Sequence, residues 1–156
     1  MIHDGECGMD RALAVIEGTE ETKRLVREAG ELAAGVGAEL LLLHVTTEEE
    51  FSDRADSLAS IPNYDTEYNV DQARDGARQF ADDIGREVFE GLDVEYEPVG
   101  ALGDKERTIL ERAAERDCDH LFISGQKRSP TGKALFGDLT QSVILEFDGA
   151  VTVTTV

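Results

Sequence analysis

The sequence predicts an α/β protein with one doubly wound, Rossmann-like parallel sheet of five strands and helices on both faces. Five short apolar segments alternate along the chain with four segments in which apolar residues recur at helical spacing. The first two apolar segments are apolar almost throughout, which is typical of parallel strands buried on both faces. Such alternation implies right-handed crossovers, and ligands bind beyond the carboxyl ends of the strands.

Length and charge limit the classes of function. The chain has 156 residues, and we expect a flexible tail at 1–9 and a single domain over 10–156. Its net charge of −19 opposes binding to nucleic acid and to anionic membranes. The acidic residues are spread along the chain, so we hypothesise adaptation to a salt-rich cytosol, where ions screen the self-repulsion. With no membrane-length apolar run and no signal-peptide pattern, a cytoplasmic protein is expected.

The first strand and helix are predicted from the small apolar run at 11–16 and the periodic segment that follows it. The helix begins at Glu20 and is stopped by Gly35 and Gly37. Its predicted buried face consists of Leu25, Val26, Ala29, Leu32 and Ala33. Residues 39–45 then form a second, central strand.

The middle of the chain combines a polar connection, a long helix and an edge strand. Residues 46–69 are acidic and are predicted to be a connection with one short helical piece. The next helix ends at Gly91, and its predicted inward residues are Val70, Ala73, Ala77, Phe80, Ala81, Ile84 and Val88. Residues 92–99 alternate between apolar and acidic, and Pro98 confines that strand to the edge of the sheet.

The last third of the chain contains two helices and two strands. A third helix is predicted from about Asp104, and the strand at 120–124 follows it. A fourth helix is predicted at 138–146, and a β-rich strand at 150–156 closes the chain. The predicted inward residues of these two helices are Ile109, Leu110, Ala113, Ala114, Leu139, Val143 and Ile144.

The segment 119–142 carries the strongest functional signal. Its strand ends at Gly125, a loop with three basic residues follows, and a helix begins near Asp138. Unpaired N–H groups and the helix dipole make such a helix start favourable for phosphate or carboxylate groups. Gly132 and Lys133 do not form a P-loop, because Ala134 replaces the required hydroxyl residue.

This strand, loop and helix resemble the nucleotide-binding loop of the universal stress proteins, Gly-x2-Gly-x9-Gly-Ser/Thr. Gly125 matches the first glycine, Gly137 the last, and Leu139–Thr140 the opening of the helix. Arg128 replaces the second glycine, Asp138 replaces the phosphate-binding Ser or Thr, and the span is one residue shorter. The resemblance covers nearly the whole chain after residue 10 and implies the strand order 3-2-1-4-5 of the adenine nucleotide alpha hydrolase-like fold.

The same resemblance implies a crevice for ATP or another adenine nucleotide, with Mg²⁺. Glu17 stands where the family has an Asp after the first strand, and Val45 matches the end of the second strand. Ser124 and Gly125 correspond to residues beside the base and the sugar. The complete implied set is Glu17, Val45, Ser124, Gly125, Lys127, Arg128, Gly132, Lys133, Gly137, Asp138, Leu139 and Thr140.

Asp138 leaves three interpretations open. Its carboxylate can cap the helix and occupy the N–H groups that a phosphate would use. It can instead hold a divalent ion that bridges to phosphate, while Lys127, Arg128 and Lys133 neutralise the remaining charge. In the third interpretation, Arg128 pairs with Asp138 and closes the crevice.

No catalytic residue and no resident metal site are predicted. His3, His44 and His120 lack metal-ligand spacing, and no Gly-x-Ser-x-Gly nucleophile motif occurs. We expect His44 to be a packed residue at a strand end. Cys7 and Cys118 lack a C-x-x-C spacing, so reduced thiols are expected.

The leading hypothesis is a universal stress-type accessory or regulatory factor with weak or absent ATP binding. The resemblance implies a homodimer that pairs through the last strand, 150–156. An alternative is an ATP-binding protein that hydrolyses nucleotide slowly through a metal held by the loop. A third hypothesis is an interaction module with a closed crevice.

Overall fold

The computed structural model describes residues 8–62, 69–125 and 137–155. One sheet of five strands has the order β3-β2-β1-β4-β5, and every neighbouring pair is parallel. The strands are β1 (Arg11–Val15), β2 (Glu39–Thr46), β3 (Tyr96–Leu102), β4 (His120–Gly125) and β5 (Ala150–Thr155). The predicted fold class and strand order are confirmed.

The helices cover both faces of the sheet, as predicted. They are α1 (Glu20–Val36), α2 (Glu48–Ala59), α3 (Val70–Val88), α4 (Lys105–Glu115) and α5 (Asp138–Glu146). One core cluster joins α1 and α3 to one face, and a second joins α4 and α5 to the other. In β2, Leu40 and Leu42 belong to the first cluster and Leu41 and Leu43 to the second. This burial on both faces explains why the β2 sequence is apolar almost throughout.

The connection 46–69 contains the predicted helical piece, α2. Thr47 accepts a hydrogen bond from the Glu50 amide at 3.1 Å, and Glu50 accepts one from the Thr47 amide at 2.9 Å. This reciprocal capping box fixes where the helix begins. No residue of α2 is buried, so the sequence has no strong apolar stripe to reveal it.

The third strand begins later than the alternation at 92–99 predicts. Pairing with β2 runs from Tyr96, opposite Leu40, to Leu102, opposite Thr46. Leu92 and Val94 pack against the α1 and α3 core before that pairing starts, so their burial alternates without a strand. The edge position predicted from Pro98 is confirmed.

Several residues predicted to point inward are exposed. Leu32 and Val70 are each 46% exposed, and Ile144 is 36% exposed. Ala114 is also exposed and Leu110 only partly buried. The helices that contain these residues bury a narrower stripe than their apolar residues cover, because each rests on only part of the sheet.

Candidate functional site

The carboxyl ends of β1, β2 and β4 lie next to one another at one edge of the sheet. β1 pairs with β2 on one side and with β4 on the other. Successive strands run outward from β1 through β2 to β3, and the chain then continues with β4 on the opposite side. This reversal is the position at which open α/β sheets form a ligand crevice. The predicted residues Glu17, Val45 and Gly125 all lie at these strand ends.

Glu17, the first residue of this crevice, is held by a cation from α4. The Lys105 Nζ atom lies 3.3 Å from both carboxylate oxygens of Glu17. The two side chains are 29% and 28% exposed, so the ion pair is largely shielded from water. The Glu17 amide donates to the Thr22 hydroxyl at 2.9 Å, which fixes the turn that carries the carboxylate. Glu17 is therefore an oriented, charge-paired acceptor.

The next crevice residues come from β2. The His44 Nδ1 atom lies 2.8 Å from the main-chain oxygen of Ile16. A carbonyl oxygen only accepts, so Nδ1 carries the hydrogen and Nε2 is the acceptor in the neutral ring. The ring also packs against Phe80, with centroids 4.8 Å apart. His44 thus packs at the strand end, as expected, and joins β2 to β1 through a side-chain bond.

A second carboxylate, that of Glu50, lies close to the same strand ends. The hydrogen bond from the Thr47 amide is the main reason why the pKa of Glu50 lies below its usual range. The positive charge of Lys105 lowers this pKa further, and burial opposes the shift. Glu50 is therefore ionised at neutral pH. Arg54 lines the same cavity as Glu50, so two cations, Lys105 and Arg54, accompany the Glu17 and Glu50 carboxylates at this edge.

The remaining strand-end residues contribute mostly main-chain groups. The Val45 side chain is 3% exposed and belongs to the α4 and α5 core. Gly125 is buried, whereas Ser124 is partly exposed and its hydroxyl lies 3.4 Å from that of Thr154. Thr140 Oγ1 donates to the Ser124 oxygen at 2.9 Å, which ties the start of α5 to the end of β4.

The start of α5 differs from one of the sequence interpretations. Gly137, not Asp138, is the N-cap residue, and Asp138 is the first residue inside the helix. The capping interpretation of Asp138 is therefore wrong. Because glycine has no side chain, the N-cap residue itself accepts no hydrogen bond from the first amides of α5. The exposed Asp138 carboxylate adds negative charge at this anion-favouring end, and Leu139 packs into the core beside it.

The loop between β4 and α5 lies outside the described residues. Lys127, Arg128, Gly132 and Lys133 belong to it, so their contribution to the crevice stays a prediction. The interpretations that place Arg128 or a divalent ion on Asp138 stay predictions for the same reason.

Sequence reasoning missed two charged residues of the crevice, Lys105 and Glu50. Lys105 is the first residue of α4, the helix that leaves the carboxyl end of β3. A helix that follows a parallel strand begins at the same edge of the sheet as the other strand ends, and Asp104 is a recognisable N-cap residue. These signals could have placed Lys105 at the edge, although they give no indication that it pairs with Glu17.

Two residues outside the crevice that could react or titrate near neutral pH, Cys118 and His120, are held by packing in the fold. Burial raises the pKa of the Cys118 thiol to about 11, so it is protonated and unreactive at neutral pH. Burial also lowers the pKa of His120, whose Nε2 lies 2.8 Å from the Thr152 hydroxyl. Within the described ranges, no group of three or more His, Cys, Asp or Glu residues could hold a metal ion. No helix there is long and apolar enough to cross a membrane.

Comparison with known proteins gives a family match over almost the entire chain. The family model described as "Universal stress protein family" matches residues 9–155. No curated protein matches the chain.

Solved structures show the same fold at low sequence identity. A universal stress protein in complex with cAMP is 17% identical, with a TM-score of 0.63 over 95% of this chain and 98% of its own. One from Archaeoglobus fulgidus is 23% identical, with a TM-score of 0.58 over 93% of this chain and 97% of its own. Another from the same organism, in complex with dAMP, is 18% identical, with a TM-score of 0.53 over 95% and 98%.

Proposed function

Since this chain belongs to the universal stress protein family, we propose that it is a non-catalytic regulatory or accessory protein whose crevice binds an adenine nucleotide weakly. One observation carries this proposal: the oriented Glu17 carboxylate and the start of α5, which has a glycine N-cap, lie at the same edge of the sheet. The Glu17 carboxylate can accept hydrogen bonds from the hydroxyl or amino groups of a nucleoside, and the amides at the start of α5 can donate to a phosphate.

Two features of the crevice support weak rather than tight binding. Asp138 places a carboxylate on the first turn of α5, where it repels phosphate unless a cation lies between them. Lys105 already occupies part of the hydrogen-bonding capacity of Glu17. Val45, Ser124, Gly125, Leu139 and Thr140 complete the nucleotide-binding set that we propose, with Lys127, Arg128, Gly132 and Lys133 from the loop.

Relatives support the ligand class. Solved universal stress proteins are described in complexes with cAMP and dAMP, both of which are adenine nucleotides. We therefore propose an adenine nucleotide for this crevice, with Mg²⁺ bridging Asp138 to the phosphates when the ligand is ATP. Oxygen ligands and phosphate oxygens are the usual surroundings of Mg²⁺.

The proposal also includes an oligomeric state and a cellular environment for the protein. β5 is an edge strand of the sheet, and we propose that it pairs with β5 of a second copy to form a homodimer. The net charge of −19 supports a haloarchaeal-type member that works in a salt-rich cytoplasm as one domain over 10–156.

Equilibrium binding of nucleotide tests the proposed function. Protein freed of co-purified nucleotide is titrated with ATP, AMP, cAMP and GTP in molar KCl, with and without Mg²⁺, by NMR. We expect submillimolar to millimolar binding of the adenine nucleotides, strengthened by Mg²⁺ for ATP, and weaker binding of GTP. Absence of any chemical-shift change at millimolar nucleotide would refute the proposal and favour an interaction module. Release of phosphate from ATP, abolished by Asp138→Asn, would favour the slow hydrolase instead.

A further inference from the structure

The ion pair between Lys105 and Glu17 differs from the other ion pairs of the described residues in its surroundings. Both of its side chains are less than a third exposed, whereas every other pair includes a side chain more than half exposed. It also joins residues 88 positions apart in sequence, from the turn after β1 to the first residue of α4. Reduced exposure means that water screens the interaction between these two charges less than it screens a typical surface pair.

The main chain holds both ends of this pair. Asp104 caps α4 by accepting from the Arg107 amide at 2.9 Å, which fixes the turn from which Lys105 extends. On the opposite side, the bond from the Glu17 amide to Thr22 fixes the turn after β1. The ammonium and the carboxylate are thus brought together by two independently fixed backbone segments.

The charges around this ion pair affect which ligands the crevice can bind. Glu17 and Glu50 each carry a negative charge, and Lys105 interacts with both of them. Without Lys105, the Glu17 carboxylate would lose its paired cation, and a nucleotide phosphate would meet that negative charge in an already acidic protein. A neutral nucleoside would experience no comparable repulsion.

We infer that Lys105 is a specificity-determining positioning residue, which neutralises Glu17 so that the crevice accepts anionic nucleotides as well as neutral nucleosides. This inference rests on the proposed function, since it concerns the same crevice. Lys105 acts through Glu17 rather than by contact with the ligand, so its effect depends on the charge of the ligand.

The test compares AMP with adenosine, which share the nucleoside and differ in charge. For Lys105→Met we expect AMP affinity to fall about tenfold, the effect of one charge at about 10 Å with an effective dielectric constant of about 20, while adenosine affinity changes less than about twofold. Adding Glu17→Gln to Lys105→Met removes the uncompensated carboxylate, so the ratio of AMP to adenosine affinity should return close to the wild-type ratio, whatever Glu17 itself contributes to binding of the nucleoside. Lys105→Arg keeps the charge and should bind AMP as the wild type does. All titrations use low ionic strength and NMR, after thermal melting has shown that each variant is folded.

Arg107→Met is the matched control, because it removes the same charge from the first turns of α4. Arg107 is exposed and lies about 200° around the helix from Lys105, so its side chain faces away from Glu17. It should leave AMP binding within about twofold of wild type, given solvent screening of exposed charges.

The outcomes separate this inference from the proposed function. If wild-type protein binds neither AMP nor adenosine, the proposed function fails and the inference fails with it. If wild-type protein binds both but Lys105→Met binds AMP equally well, only the inference is overturned. Equal weakening of AMP and adenosine, without recovery in the double variant, would also overturn it, because Lys105 would then contact the ligand directly.

Discussion

Thr140, in the first turn of α5, donates its hydroxyl hydrogen to the main-chain oxygen of Ser124, at the end of β4, over 2.9 Å. Thr140 is 6% exposed, so water competes little for this bond. The bond joins the two elements that flank the loop between β4 and α5. It therefore connects the end of β4 directly to the start of α5, without involving the loop.

Replacing Thr140 with Val should loosen this connection. The loss of one buried hydrogen bond predicts a decrease of about 1 kcal/mol in the free energy of unfolding, measured by urea denaturation. Gln141→Ala, at the exposed neighbouring position, is the control and should change stability much less. Equal stability of Thr140→Val and wild type would show that the bond is not important for holding α5.

Replacing Asp138 with Ser should strengthen nucleotide binding. The change removes a negative charge from the first turn of α5 and supplies a hydroxyl that can donate to phosphate. We expect ATP affinity without Mg²⁺ to rise about fivefold, from the loss of one repulsive charge near the surface.

The control for this charge effect is Asp148→Ser, which removes an exposed carboxylate beyond the opposite end of the same helix. It should leave the affinity unchanged. Unaltered affinity in Asp138→Ser would mean that this carboxylate lies away from the bound phosphates.

The hydrogen-bonded carboxylate of Asp82 should make the free energy of unfolding decrease in acid. Its pKa is lowered chiefly by the hydrogen bond from Arg86, at 2.6 Å, and next by the bond from the Tyr96 hydroxyl, at 3.0 Å. A carboxyl group with a lowered folded pKa contributes stability above its unfolded pKa of about 3.9, and this contribution is lost as pH falls through the folded value.

The measurement is the difference in free energy of unfolding between wild type and Asp82→Asn at several pH values. We expect the difference to be constant from pH 7 to about pH 5 and to shrink below about pH 4. Asp93→Asn, in an exposed irregular segment, should show no such pH dependence. A difference that persists unchanged below the folded pKa would indicate that packing, and not charge, is responsible.

A proline at position 151 should separate the proposed dimer without unfolding the subunit. The Ala150 amide donates to the Asp119 oxygen on the β4 side, so the next amide along the strand, that of Val151, points towards the open edge. Proline removes that outward donor, which an edge strand tolerates, and keeps an apolar side chain where Val151 packs against the α4 and α5 core. Sedimentation should show a dimer for wild type and a monomer for Val151→Pro, at similar melting temperatures. Val151→Thr keeps the amide and should stay dimeric; a dimeric Val151→Pro would place the interface elsewhere.

The charge of the chain predicts stabilisation by salt. At a net charge of −19 the folded protein repels itself, and molar KCl reduces the Debye length to about 3 Å, which removes most of that repulsion. The melting temperature should therefore be several degrees higher in molar KCl than in dilute buffer. Sorbitol at equal osmolarity, which does not screen charge, should have a smaller effect. Equal melting in KCl and dilute buffer would contradict adaptation to a salt-rich cytoplasm.

Regular elements with a strong apolar pattern could be predicted from the sequence. The helix predicted at 138–146 and the helix from Val70 agree with α5 and α3, because each has apolar residues at helical spacing between clear ends. The strand at 92–99 was misplaced because alternation records burial, and Leu92 and Val94 are partly buried without pairing in the sheet. The helix at 48–59 has no buried residue, so it had no stripe from which its length could be predicted.

The crevice residues were predicted in part. Glu17, Val45 and Gly125 could be assigned to strand ends because each directly follows or ends an apolar run. One interpretation places Asp138 at the N-cap, but the N-cap residue is Gly137, one position earlier, and Asp138 is the first residue of the helix. This difference of one residue decides whether the carboxylate caps the helix.

The sequence by itself determined the kind of each regular element, the acidity of the surface and the family to which the chain belongs. All three depend on local patterns, since periodicity, composition and motif spacing act over a few residues at a time. Only the tertiary structure decided that Lys105 pairs with Glu17 and that Thr140 binds the Ser124 oxygen. Residues 17 and 105 become neighbours because parallel strands and the helices that follow them bring distant turns to one edge of the sheet. No local pattern in the sequence records that adjacency.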